Sequence, residues 1–113
     1  MILFATAAGG FLGSIARYYC SLFFKKPGVN TWMVNVLGSI LLGIITRMFV
    51  QDDLSLILFS FIGVGFCGAF TTFSTFGYET TQFILQKRYV RAFGYVSTMI
   101  IVSFSMVYFI VTF

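Results

Sequence analysis

Apolar residues fill most of this chain, and short polar groups interrupt them at three places, near residues 25–28, 51–53 and 86–91. The four apolar stretches that remain cover about 2–24, 31–50, 54–86 and 90–113. A helix needs about 20 residues to cross the hydrocarbon core of a membrane, and the first, second and fourth stretches have that length. The pattern therefore predicts an all-α membrane protein in which residues 1–113 form a single domain of four transmembrane helices.

The third stretch is too long for one straight crossing, since residues 54–86 would form a helix about 50 Å long. Its character also changes halfway: residues 54–66 are apolar, whereas residues 71–81 contain five Thr, one Ser and Glu79. We therefore expect two half-helices with a break at 68–72, near the middle of the membrane. Such a break persists in lipid only if it is buried in protein or lines a cavity, and transport proteins place ion sites there. The alternative is one continuous helix with a polar exit.

The composition supports a membrane location. Of the 113 residues, 59% are hydrophobic and 9% are charged, whereas roughly a quarter are charged in soluble domains. Residues 1–8 contain no Lys or Arg, so they lack the basic start of a signal peptide and the first span is expected to be retained. Cys20 and Cys67 fall in different spans, which argues against a disulfide framework. With no His, the chain has almost no ligands for a transition metal.

Lys and Arg are biased toward one side of the predicted membrane domain. The first and third connections and their flanks carry six cations, whereas the other side carries only Arg47; the six are Arg17, Lys25, Lys26, Lys87, Arg88 and Arg91. Because Lys and Arg prefer the cytoplasmic side, we expect a multi-pass protein of the cell membrane with both termini outside. These six cations are the main source of the net charge of +4. Because the basic residues are confined to short membrane flanks, they do not favour nucleic-acid binding.

Two polar residues inside the first and second spans are candidates for function. Arg17 follows Gly9 and Gly13 at intervals of four, so the three share one face of a helix. An ionisable group within a span suggests function, although Arg17 can also snorkel to the interface. Asn35 shares a polar stripe with Ser39. Its amide needs partners in a membrane, either as a link between helices or as a pore-facing donor to an anion.

Aromatic and hydroxyl side chains extend this pattern in the third and fourth spans. Phe73 and Phe76 are neighbours on a helix and lie among hydroxyls beside the expected break. Aromatic rings have an electropositive edge, so two ring edges along a narrow path can stabilise a small anion weakly enough to release it. In the fourth span, Thr98 and Ser105 lie roughly along one face and Ser103 lies on another.

Three motifs resemble the Fluc/CrcB family of fluoride channels, and the resemblance covers the whole chain. Residues 9–18 (GGFLGSIARY) are similar to the first-helix motif of that family, and residues 31–39 (TWMVNVLGS) are similar to its second-helix motif. Residues 65–76 (GFCGAFTTFSTF), followed by Glu79, are similar to its third and most specific motif.

The resemblance implies an antiparallel dimer with two fluoride pathways. Phe73 and Phe76 match the phenylalanines that contact fluoride in this family, and Asn35 matches its pore-facing amide. Backbone carbonyls at Gly68 and Thr71 match those that hold a structural sodium ion at the dimer centre. Hydroxyls of the fourth helix also line the pathway in this family, and the candidates here are Ser103, Thr98 and Ser105. We also assign Arg17 to the fluoride pathway.

The chain departs from the family pattern at two points. Ala69 stands where the family often has a second Gly, and its methyl group could tighten the break and weaken the sodium site. The charge bias is the second departure, because subunits that pair with copies of themselves in both orientations need nearly balanced flanks. We therefore expect a heterodimer with a homologous subunit of opposite orientation, with a homodimer as the alternative.

The family resemblance and the polar residues of the spans predict a passive fluoride channel that exports cytoplasmic fluoride and lowers its toxicity. Glu79 is the only acid within the predicted helices, so the chain lacks the acidic relay of a pump. The sequence contains nothing that resembles a nucleotide-binding loop or a paired-carboxylate site, so we do not expect an enzyme. One alternative is a proton-coupled small multidrug transporter, although residues 1–24 lack the acid that such a protein needs. The other alternative is a non-conducting structural subunit of a heterodimeric channel.

Overall fold

A computed structural model describes residues 1–26 and 28–112, and every described element of regular structure is helical. The predicted turn residue Pro27 and the predicted last residue of the fourth span, Phe113, lie outside the described residues. We name the helices in chain order: α1 Ile2–Phe23; α2 Val29–Val50; α3, residues 56–70; α4 Ser74–Leu85; and α5 Tyr89–Thr112. Helix α3 has three parts, namely Leu56–Leu58, a π-helical segment Phe59–Cys67, and Gly68–Phe70.

The third apolar stretch is a broken helix, as the sequence predicts. The chain leaves helical conformation between α3 and α4, where Thr71 is extended with φ −83° and ψ 160°. The break starts later than Gly68, which has ordinary helical angles. The Thr71 N–H still donates to the Cys67 carbonyl in the helical pattern, at 3.0 Å, and the Thr71 hydroxyl donates to the same carbonyl at 2.9 Å. Thr71 therefore keeps its own helical bond, and its extended ψ angle ends the helix.

The π-helical segment Phe59–Cys67 is nine residues long, and its apolar sequence gives no sign of it. Most π-helices are single-turn bulges and lie at functional sites. This one packs against α1, where the two backbones come into direct contact. A Cβ atom added to Gly9 would lie 1.9 Å from the Phe61 carbonyl oxygen, and one added to Gly65 would lie 2.4 Å from the Thr6 carbonyl oxygen. Glycine therefore permits the close approach of α1 and α3.

Three helices among the described residues are long and apolar enough to cross a membrane: Val29–Val50, Leu56–Leu85 with its break, and Tyr89–Thr112. Helix α1 has 22 residues but does not belong to these three, so the fourth crossing stays a prediction. The described residues thus form an all-helical membrane protein in which the candidate span 56–85 is broken. The break falls near the middle of that span.

A small aromatic core joins α4 and α5 beside the break. Phe83 of α4 and Ala92, Tyr95 and Met99 of α5 are buried together, with the α2 side chain of Trp32 against them. At the opposite end of the molecule, Arg47 of α2 donates to the Ile110 carbonyl of α5 at 3.0 Å. The core and this hydrogen bond hold α2 and α5 together, and the half-helix α4 packs against both helices.

The contact between α1 and α3 predicts the effect of adding one methyl group. We expect Gly9→Ala to destabilise the protein by about 1–3 kcal/mol, because overpacking against a rigid backbone forces the helices apart. Gly94→Ala is the matched control, since nothing lies within 4 Å of a Cβ atom at that position. Thermal unfolding of the detergent-solubilised protein measures both. Equal midpoints for the two variants would show that the backbones do not touch as described.

Candidate functional site

Asn35 holds the helix break in place. Its Nδ2 donates to the Thr72 carbonyl at 3.0 Å, and its Oδ1 accepts from the Thr72 N–H at 2.8 Å. The side-chain amide of α2 thus satisfies both backbone polar groups of one residue in the break. Nδ2 also lies 3.2 Å from the Met99 sulfur. Buried backbone groups that miss a helical partner need a replacement, and Asn35 supplies it here.

Two backbone carbonyls lose their usual helical donors at this break. In a continuous helix the N–H of Thr72 would donate to Gly68 and that of Thr75 to Thr71, four residues earlier. Here Thr72 donates to Asn35, and the Thr75 N–H donates to the Thr72 hydroxyl at 3.3 Å. The carbonyls of Gly68 and Thr71 are therefore released from the helical pattern. They are the two carbonyls that the family resemblance implies as ligands of a sodium ion.

A groove of about 680 Å³ lies beside the break, between α2, the broken span and α5. It brings together six residues that the sequence predicts as functional: Asn35, Gly68, Thr71, Phe73, Phe76 and Ser103. Apolar side chains complete the wall, among them Leu42, Val64, Ile100 and Phe104. No Asp, Glu, Lys or Arg lines the groove in the part of the chain that the structure describes.

The two phenylalanines differ in their surroundings. Their ring centroids are 6.0 Å apart with the planes tilted by 57°. Phe76 is half-buried and packs against Tyr95 of α5, with centroids 5.4 Å apart, whereas Phe73 is 83% exposed. A single chain therefore supplies one supported ring and one ring that projects from its surface. The groove is open on the side where Phe73 and Phe104 are exposed.

The chemistry of the groove suits weak binding of a small anion. Ring edges carry partial positive charge, and hydroxyl groups can donate hydrogen bonds. The Ser103 hydroxyl is buried and has no hydrogen-bond partner among the described residues. With no charged side chain in the lining described above, an anion would meet only partial charges and dipoles. Such a path can pass an ion without trapping it.

Two predicted hydroxyls lie elsewhere. Thr98 belongs to a different groove with Trp32, where the indole N–H donates to its hydroxyl at 3.1 Å. Ser105 is half-buried and is not among the residues that line the groove beside the break. Of the three candidates in the fourth span, the groove contains only Ser103.

Arg17 points inward from α1. It lines a polar pocket of about 280 Å³ with residues from α1, α2 and the break, and this pocket shares Thr72 with the main groove. The guanidinium Nη1 lies 3.5 Å from the Thr71 carbonyl oxygen, a long hydrogen bond. Arg17 is the only charged residue that lines either pocket in the described chain. Its charge therefore lies at the side of the groove that faces the predicted cytoplasm.

The pairing of Thr31 with Glu79 is a feature that sequence reasoning missed. Thr31 is 1% exposed, and its hydroxyl donates to a carboxylate oxygen of Glu79. This contact ties the start of α2 to the half-helix α4. The signal in the sequence was Glu79 itself, because a lone acid inside a membrane span needs a donor. The sequence did not indicate which of the nearby hydroxyls would supply it.

Comparisons with known proteins show the family to which this sequence is similar. Residues 4–111 match the family model described as CrcB-like protein, Camphor Resistance (CrcB). A fluoride-specific ion channel, FluC, from Thermococcus onnurineus is 39% identical over an alignment of 111 residues. This alignment covers 95% of this chain and 90% of the relative. FluC from Thermococcus gammatolerans is 38% identical over 92% of this chain and 88% of its own. A fluoride-specific ion channel named FluC 2 from Bacillus subtilis is 41% identical, and the alignment covers 86% of this chain and 75% of that relative.

The two hydrogen bonds between Asn35 and Thr72 predict a local loss of structure in a variant. We expect Asn35→Ala to destabilise the protein by about 1–3 kcal/mol, because the Thr72 N–H and carbonyl are left without partners. The Thr72 amide should also exchange with solvent much faster. Ser39→Ala is the control, since the Ser39 hydroxyl bonds the Asn35 carbonyl within its own helix. Hydrogen exchange measured in detergent decides this, and unchanged protection of Thr72 would contradict the role given to Asn35.

Proposed function

We propose, because this chain belongs to the CrcB-like protein family, that it is a subunit of a channel that conducts fluoride passively across the cell membrane. The observation that carries the proposal is the uncharged groove at the helix break, where Phe73, Phe76 and Ser103 face the same space. The printed names of the relatives supply the ion. The groove supplies a reason why a small anion can enter and leave it.

Passive conduction is sufficient for fluoride export. Hydrogen fluoride is a weak acid that crosses membranes in its neutral form and dissociates in the cytoplasm. The membrane potential then drives the anion outward through a selective path, at about 2.3 kcal/mol per charge for each 100 mV. No coupled proton relay or catalytic step is needed, and we assign no enzymatic role to the chain. Arg17 attracts the anion toward the groove from the cytoplasmic side.

A second subunit completes the pathway. Phe73 and Phe104 are 83% and 72% exposed, so lipid would otherwise form one wall of the groove. Acyl chains offer no hydrogen bonds to an anion, and an ion at that depth needs a protein lining. An antiparallel partner places its own broken span against this open side. Each pathway then has one wall from each subunit.

The partner is a homologous subunit of opposite orientation. Six of the seven cations lie at one end of the helices, and the positive-inside rule then orients nearly every copy in the same way. Two copies with the same orientation cannot form an antiparallel pair. A heterodimer follows, with both termini of this chain outside.

A sodium ion at the dimer centre fits the carbonyls at the break. Gly68 and Thr71 each present a carbonyl oxygen whose helical donor bonds elsewhere. The Thr71 oxygen also accepts the long hydrogen bond from Arg17, so a sodium ion would share this oxygen with the guanidinium or displace it. Carbonyl oxygens are suitable ligands for such a cation, and two from each subunit would give four. Ala69 does not obstruct this arrangement, because its methyl lies on the α1 side, 4.0 Å from a Cβ atom built at Gly10.

Fluoride efflux from liposomes tests the role of the aromatic pair. We expect Phe73→Ile and Phe76→Ile to abolish efflux measured with a fluoride electrode, because each change removes one electropositive ring edge from the path. Phe93→Ile is the matched control, since Phe93 is exposed on α5 and does not line the groove. The assay should use this chain alone and together with its candidate partner.

Retained efflux in the Phe73 and Phe76 variants would overturn the conducting role of this chain. It would favour the alternative in which the chain is a structural subunit and the pathway of the partner conducts. Drug-driven proton release from the purified protein would instead support a small multidrug transporter. That alternative has little support from the sequence, since residues 2–23 contain no Asp or Glu.

Orientation in the membrane tests the heterodimer. We expect a tag on the N-terminus to be labelled only from outside the cell, because the charge bias orients every copy in one way. A variant with Lys25, Lys26, Lys87 and Arg88 changed to Gln should be labelled from both faces. Equal labelling of the unmodified chain from both faces would contradict the heterodimer and restore the homodimer.

A further inference from the structure

The side-chain amide of Asn35 has two N–H groups, and two acceptors lie within hydrogen-bond distance of its Nδ2 atom. The Thr72 carbonyl oxygen is 3.0 Å away and the Met99 sulfur is 3.2 Å away. The orientation of the amide is fixed, because the Thr72 N–H donates to the other end, Oδ1. Both N–H groups of Asn35 are therefore engaged, and an anion in the groove must replace an acceptor to reach one of them.

The two acceptors of Asn35 differ in strength and in mobility. The Thr72 carbonyl belongs to the backbone of the break, and a buried carbonyl without a donor is costly. The Met99 sulfur is a thioether, which is a weak acceptor, and its side chain turns about three rotatable bonds. Losing the N–H costs the sulfur little. The N–H that points to Met99 is therefore the one that can be exchanged.

Met99 joins the aromatic core to the groove beside the break. It is 5% exposed and belongs to the core of Phe83 and Tyr95, yet it also lines the groove with Asn35. Ser103 follows it by four residues, on the same face of α5, and lines the same groove. The Ser103 hydroxyl is buried without a hydrogen-bond partner among the described residues. The sulfur thus lies between an engaged donor on α2 and an unengaged donor one turn along α5.

We propose that the Met99 sulfur is a displaceable acceptor, an inference that rests on the proposed function: fluoride takes its place on the second N–H of Asn35, and the thioether turns away. Both hydrogen bonds between Asn35 and Thr72 persist in this exchange, so the break is held while the ion passes. A hydrogen bond to an ionised acceptor is roughly twice as strong as one to a neutral acceptor. Fluoride therefore competes well with the sulfur, whereas chloride, a larger ion and a weaker acceptor, gains less.

Nuclear magnetic resonance tests this exchange without measuring transport. The chain has five Met, and Asn30 is its only Asn besides Asn35, so methyl labels on Met and side-chain amide labels on Asn give few signals. The protein is purified in detergent as the assembly it forms. It is titrated with sodium fluoride in exchange for sodium chloride at constant total sodium. We expect fluoride to shift the Met99 methyl and the Asn35 amide with the same midpoint, and chloride alone to shift neither.

Met99→Leu removes the acceptor at similar volume, a change that protein cores tolerate. Fluoride then meets an N–H without a competing acceptor. The fluoride midpoint of the Asn35 amide signal should fall about three- to tenfold, the range of one net hydrogen bond. In liposomes the half-saturating fluoride concentration and the maximal efflux rate should both fall, because tighter binding slows release. A purely structural role of Met99 would not lower the midpoint.

Met106→Leu is the matched control, because it makes the same exchange on the same helix. Met106 is 36% exposed and does not line the groove, so the midpoint and the efflux of this variant should equal those of the unmodified chain. The Met99 methyl is assigned as the signal that is lost in Met99→Leu. Its packing against Tyr95 in the aromatic core also identifies it, so the titration of the unmodified chain decides the question even if Met99→Leu does not fold.

Four results would overturn the proposal. A fluoride shift of the Asn35 amide with an unchanged Met99 methyl would show that the sulfur keeps its place. An unchanged or higher midpoint in Met99→Leu would show that the sulfur does not compete with the ion. No response of either label, in protein that passes fluoride in liposomes, would reject the exchange and leave the proposed function standing. The absence of both the response and the efflux would reject the proposed function as well.

Discussion

The whole arrangement depends on one constraint, that a backbone leaving its helix inside a membrane must find other hydrogen-bond partners. The Asn35 amide meets this constraint by pairing with both polar groups of Thr72. The same pairing diverts the Thr72 N–H from Gly68 and so frees a carbonyl at the break. The Asn35 side chain therefore offsets the free-energy cost of the unpaired backbone groups and leaves a polar surface next to Phe73 and Phe76. Function at this site follows from the way in which the break is stabilised.

The helix pairs α1–α3 and α4–α5 are held together by different kinds of contact. Helices α1 and α3 are joined backbone to backbone through Gly9 and Gly65, a contact that has little room for adjustment. Helices α4 and α5 are joined by larger aromatic side chains around Phe83 and Tyr95. Between them, the contact of Thr31 with Glu79 ties α2 to the half-helix. The break is thus held from both sides, and the centroids of the Phe73 and Phe76 rings lie 6.0 Å apart in a groove that no charged side chain of the described residues lines.

The sequence was sufficient for the helical class, the broken third span and the family, because each depends on local pattern or on motifs. It was insufficient for features that depend on contacts between spans. The length of the third stretch and its hydroxyls indicated a break, but only the extended backbone of Thr71 and the pairing of Thr72 with Asn35 place it after Phe70. The π-helical segment has no signature in its apolar residues. The sequence places Thr98 and Ser103 on different faces of the fourth span, but only helix packing shows which of these faces lines the groove beside the break.

Charge and polarity are separated along this chain. Six of the seven cations lie at one end of the helices, and Arg17 is the innermost of that group. The groove contains rings, hydroxyls and backbone groups instead. A fixed cation in the groove would bind an anion more tightly in a medium of low dielectric constant, and tight binding slows release. Keeping full charges out of the groove therefore suits weak binding of an anion, and in the single chain the groove stays open on the side of Phe73.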